Sequence, residues 1–181
     1  MKVRLAIFLV SFLLVTSQWA EERPWINRET LLSLKGDSGV AAKELLESID
    51  AGEQSIIRSK INNVIARGNW EVVALLLRYK STTARREAAV ALGKIKSPDV
   101  ALKLLEALDV LELPVMGGDE STIEQRDTRR IYEDTLSKIT GVKVNPSWTS
   151  YQKRTAFREW IDANTARSNS TPRPSRKDTV K

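Results

Sequence analysis

The side chains that most often carry enzyme chemistry at neutral pH are missing here: the 181 residues include no His and no Cys. That excludes Ser-His-Asp hydrolysis, thiol nucleophiles, disulfides and zinc sites built from Cys and His. Carboxylates, Lys, Arg, Tyr and Ser are what remain. Asp109 and Glu112 lie one helical turn apart, but nothing around them marks a pocket for two-carboxylate chemistry. Arg126, Arg129 and Arg130 fall at i, i+3 and i+4, a basic helix face suited to a phosphate or an acidic partner. Glu133 and Asp134 follow one turn on from Arg129 and Arg130, which favours internal pairing on a solvated face. Arg85 and Arg86 stand together at a helix start and pose the same choice. These five arginines are the candidate partner-binding residues. No residue stands out for catalysis, for a cofactor or for a metal. Trp25, Trp70, Trp148, Tyr151, Phe157 and Trp160 offer stacking chemistry toward carbohydrate or bases, set against their default use in packing. Among them Trp25 is the best candidate for an exposed aromatic, with capping of the first helix pair as its favoured role.

The elements that must position these groups sit between two charged ends. The chain holds 29 Lys+Arg against 23 Asp+Glu, a net charge of +6. Residues 1–20 and 165–181 contain seven of the basic residues and one acid, which leaves 22 of each sign in 21–164. The basic balance therefore describes a leader and a tail, and it gives no support for a nucleic-acid partner. Lys2 and Arg4 precede an apolar run from Leu5 to Val15 broken only by Ser11, the pattern of a secretory signal peptide over 1–20. The run is short of the roughly 20 apolar residues of a membrane span. Cleavage fits after Ser17 or Ala20; an uncleaved anchor is the competing outcome. An exported chain without Cys must be held by its apolar core alone, which favours the periplasm or exterior of a bacterium and rules out lipidation at a processed cysteine. Residues 165–181 are polar and basic, with Ala166 and Val180 as their apolar members, and are expected to be disordered.

Between these ends the hydrophobic period is helical. Ala41, Leu45, Leu46 and Ile49 draw one stripe, as do Ile57, Ile61, Val64 and Ile65. Ala84, Ala88, Ala91, Leu92 and Ile95 draw another, and Val100, Leu104, Leu105, Leu108 and Leu111 the next. The breaks fall at Asp50-Ala51-Gly52, Arg67-Gly68-Asn69, Lys80-Ser81-Thr82 and Lys96-Ser97-Pro98. Expected N-caps are Asp37 or Ser38, Thr82, and Ser97 with Pro98 at the first helical position. An offset of 30 residues superposes Ile61 on Ala91, Ile65 on Ile95, Trp70 on Val100 and Leu75 on Leu105. Three helix pairs follow, about 25–50, 53–79 and 82–111. The nearly all-apolar helix 69–79 is expected between neighbours on two sides. A longer helix over about 121–139 ends at Gly141.

The segment Ala84-Arg85-Arg86-Glu87-Ala88-Ala89-Val90-Ala91-Leu92-Gly93-Lys94-Ile95, followed by Ser97-Pro98-Asp99-Val100, resembles the HEAT-like repeat of the phycobilisome-lyase type. The likeness is strongest over 82–111, fair over 53–79 and weak over 25–50. Leu136-Ser137-Lys138-Ile139-Thr140-Gly141, then Trp148 and Phe157-Arg158-Glu159-Trp160, resembles the closing segment of bacterial HEAT-repeat proteins. The resemblance implies an all-α fold: a short right-handed α-solenoid of about three antiparallel helix pairs over 21–164, closed by a helical cap at about 121–164. It implies an exported scaffold that binds a protein or peptide, with no catalysis of its own, no cofactor, no nucleic-acid partner and no stable membrane insertion after signal cleavage. The alternatives are an accessory chain of an envelope enzyme and a membrane-anchored structural protein. Gly117-Gly118-Asp119-Glu120 spells most of the diguanylate cyclase signature, but Ser121 stands where that signature has an aromatic and the α/β pattern is absent. A Gly-rich hinge leading acids into a helix start is the favoured reading.

Overall fold

A computed structural model describes residues 25–112 and 122–170. The expected leader over 1–20, the Gly117–Glu120 motif and residues 171–181 lie outside the described residues. Those described form eight α-helices and one 3-10 turn, with no strand among them. In order they are α1 (Arg28–Leu32), α2 (Gly36–Ala51), α3 (Gln54–Ala66) and α4 (Trp70–Leu75), the last running into a 3-10 turn at Leu76–Arg78. Then come α5 (Thr82–Leu92), α6 (Pro98–Glu112), α7 (Thr122–Thr140) and α8 (Ser150–Ser170). None is long and apolar enough to cross a membrane among the described residues.

The local chemistry explains most boundaries. Ser97 caps α6, its Oγ accepting from the Asp99 amide at 3.2 Å, with Pro98 at the first helical position where its missing N–H costs nothing. At the start of α5 the cap is Ser81, not the expected Thr82. The Ser81 backbone is extended, so its Oγ accepts from the Ala84 amide at 3.3 Å while Thr82 opens the helix. Neither Asp37 nor Ser38 caps α2. The helix begins at Gly36, with Lys35 at the cap position, and Asp37 sits in the first turn, where its charge opposes the positive end of the helix dipole. The first expected pair is lopsided: α1 is a five-residue helix capped by the Asn27 side chain at 2.8 Å from the Thr30 amide. At the other end α8 continues to Ser170, six residues into the stretch 165–181 that the composition marks as disordered. Extending an existing helix adds one hydrogen bond per residue fixed, so a weakly helical sequence is carried along.

The helices pack in a definite order. α3 lies along α5, and α5 along α7; α2 contacts α4, α4 contacts α6, and α6 contacts α8. Successive helices join the two sets through α2–α3, α3–α4, α4–α5, α6–α7 and α7–α8. The core runs between the sets, from Leu45 and Ile61 through Val73, Ala88 and Leu104 to Leu136 and Phe157, all buried. Burying each Leu, Ile, Val or Phe of this set contributes about 1.5–3 kcal/mol. Val72, Val73 and Ala74 of α4 and Leu76 and Leu77 of the 3-10 turn are buried, while Trp70 and Leu75 are only half-buried, so the expected enclosure on two sides is partial. Tyr132 ties the closing helices to the body, its hydroxyl donating to the Leu77 carbonyl at 2.6 Å. Ahead of α1, the Ile26 amide donates to the Arg78 carbonyl at 2.7 Å, a single parallel bridge that lays the incoming chain across the end of the 3-10 turn.

Candidate partner-binding surface

The five arginines divide by environment. Arg85 is 1% exposed, one of the largest fully buried side chains. Its guanidinium donates to the Tyr79 and Lys80 carbonyls at 2.8 and 3.0 Å and to Thr82 Oγ1 at 3.1 Å. It also lies 4.6 Å from the centre of the Trp25 ring. Carbonyls at a helix C-terminus carry partial negative charge, and an aromatic face attracts a cation, so the site is built for a permanent positive charge. Arg85 is thus an internal joint between the incoming chain, the 3-10 turn and α5. Trp25 is half-buried on that joint. Arg86 is a second joint: its Nε donates to Thr128 Oγ1 at 3.1 Å and its Nη2 to the Glu124 carbonyl at 3.0 Å, with Asp127 at 3.8 Å.

The helix face on α7 does not act as one unit. Arg129 turns to its own Glu133 at 3.1 Å and to the Ser150 hydroxyl at the head of α8. Lys153 meets the same Glu133 at 2.7 Å. The i, i+4 pairing expected of this face is therefore present at Arg129. Arg126 and Arg130 are exposed, and neither makes an ion pair among the described residues. Asp109 accepts from Arg154 of α8 at 3.1 Å. Among the described residues no three carboxylates gather as a metal site.

A buried acid escaped the sequence reading. Glu87, on α5, has 5% of its side chain exposed and accepts from Arg58 of α3 in fork geometry at 2.7 and 3.0 Å. Gln54 donates to the same carboxylate at 2.5 Å. Hydrogen bonding from Arg58 lowers the Glu87 pKa; burial opposes it, and Gln54 adds to the lowering. The sequence signal was available: Arg58 and Glu87 are 29 residues apart, close to the 30-residue offset of the hydrophobic pattern, and α3 and α5, which carry them, pack together.

A concave feature that could receive a polypeptide partner lies elsewhere. Because α4 is short, a recess of about 280 Å³ opens over it between α2 and α6. Leu34, Trp70, Leu75 and Ile26 supply its apolar wall; Glu71, Arg78, Lys103 and Glu106 stand around it. Lys103 and Glu106 pair along α6 at 2.9 Å. Trp70, expected in the core, is half-buried and forms part of this wall. None of the five candidate arginines lines it. The chain has no match among family models, curated proteins or solved structures. An apolar floor ringed by both signs of charge suits a mixed polypeptide segment better than a polyanion or a small charged metabolite.

Proposed function

We propose that this chain is an exported HEAT-like repeat scaffold that binds a protein or peptide through the recess over α4, with no catalysis of its own. The observation that carries the reading is the recess itself: an apolar trough with a charged rim, set on the α2–α4–α6 side. The packing order supports it. Stacked helix pairs of a short α-solenoid place every second helix in one layer, as α3–α5–α7 and α2–α4–α6–α8 do, and such arrays bind along one layer. In this reading α7 and α8 are the cap that covers the last repeat. A solenoid this short offers a modest surface, which suits one partner segment inside a larger assembly.

The test is site-specific photocrosslinking in the native host. A benzophenone side chain at Glu71, on the recess rim, is expected to give one dominant adduct. Adding Trp70→Ala is expected to abolish it, and the same probe at Val90, exposed on α5, to give none. Equal yields from Glu71 and Val90 would sink the assignment. Mass spectrometry of the purified protein tests export: a chain starting at Gln18 or Glu21 is expected, and one starting at Met1 identifies a retained anchor.

A further inference from the structure

We propose that Trp148 and Tyr151 form a shelf that binds a neutral oligosaccharide, at a site separate from the recess over α4. Tyr151 is the most exposed large apolar side chain described, at 73%, while Phe157 of the same helix and Tyr132 of the neighbouring α7 are at 0%. Packing therefore does not account for it. The Tyr151 ring stands as a wall shared by two grooves. One, of about 300 Å³, is lined by Trp148, Tyr151, Gln152 and Glu159. The other, of about 340 Å³ between α6 and α8, is lined by Tyr151, Glu159, Asp109, Arg154 and Arg158.

The chemistry of the two grooves selects the ligand. A pyranose has a face of C–H bonds and a rim of hydroxyls. Aromatic rings take the first, and planar amide, carboxylate and guanidinium groups take adjacent hydroxyls two at a time. Gln152, Glu159 and Arg158 place all three planar groups beside the aromatic pair. Charge argues for neutrality: in the second groove two acids face two arginines, and Asp109 and Arg154 already pair at 3.1 Å. A polyanion would meet the two carboxylates, and a polycation the two guanidiniums. Each groove lies at the small end of the ~300–1,000 Å³ range of ligand sites, room for one ring each, so the pair fits a di- or trisaccharide laid across Tyr151. A proline-rich peptide also stacks on aromatic residues but wants apolar slots on both sides; here one flank of each groove is polar.

The full chain is titrated with maltotriose, cellotriose and the trimer of N-acetylglucosamine, reading amide shifts of residues 148–159 by NMR. At least one trisaccharide is expected to saturate with a dissociation constant of about 1 mM or tighter, unchanged by added salt. Tyr151→Ala is expected to weaken it roughly tenfold or more; Tyr151→Phe, which keeps the ring, and Trp70→Ala, in the recess, are expected to leave it unchanged. Because Tyr151 is exposed, its variants retain the fold, checked by their melting curves. The proposal falls if no trisaccharide saturates, if Tyr151→Ala binds as tightly as the parent, or if a proline-rich peptide saturates these shifts and the sugars do not. The recess has its own readout in the Glu71 crosslink, so either site can fail alone.

Discussion

Arg85 shows how far a residue's environment can depart from its type. An arginine beside a second arginine at a helix start reads as surface charge, yet its guanidinium replaces water with two carbonyls, a hydroxyl and an indole face. Removing it strands those carbonyls and leaves a cavity, so Arg85→Ala is expected to destabilise the fold by ~2–4 kcal/mol in denaturant titration. Arg85→Lys is expected to recover little, since one ammonium cannot reproduce the fork and the stacking. Arg126→Ala and Arg130→Ala, on exposed side chains, are expected to stay within about 0.5 kcal/mol of the parent. Glu87 adds a pH dependence. Its folded pKa is lowered by Arg58, so its contribution is present above the unfolded carboxylate value of about 4.3 and is lost as pH falls through the folded value. Melting temperature is expected to drop below about pH 4.3, and Glu87→Gln to flatten that part of the profile; an unchanged profile in the variant would refute the assignment.

At the scale of elements, α5 and α7 meet closely at Gly93. A Cβ on Gly93 would stand 2.9 Å from Thr135 Cγ2 and 3.3 Å from the Val90 carbonyl. Gly93→Ala is expected to cost ~1–3 kcal/mol by overpacking, despite the better helix propensity of Ala. Pairing it with Thr135→Ser removes the opposing methyl and is expected to return part of that loss in a double-mutant cycle. Helices of this kind were legible in the chain because their stripes repeat and their breaks carry Gly, Ser-Pro or Asn. The recess was not legible. It exists because α4 is short and gives way to a 3-10 turn, and nothing in Leu75-Leu76-Leu77 marks that change. Nor does an apolar run reveal that Trp70, at its head, is only half-buried while Val73, three residues later, is fully buried. Ser97 caps where expected and the α5 cap lies one residue from Thr82, whereas the α2 cap position, Lys35, lies two residues ahead of Asp37.

For the molecule as a whole, stability rests on the contacts between packed helices. Removing α8 by a stop after Pro146 takes away Phe157 and Ile161, both buried, and uncovers the α6 side they seal. The truncated chain is expected to lose its sharp thermal transition and to elute as aggregates in size-exclusion chromatography; a monomer with a cooperative melt would show that α8 is dispensable. The incoming chain has a different bearing on the whole. Trp25 is fixed on Arg85, and Ile26 is bridged to the 3-10 turn. Four residues, Glu21–Pro24, separate that anchorage from Ala20, and fully extended they span at most ~14 Å. A leader left in a bilayer would therefore moor the body close against the lipid headgroups with little room to swivel, whereas one severed at Ala20 would release it to diffuse.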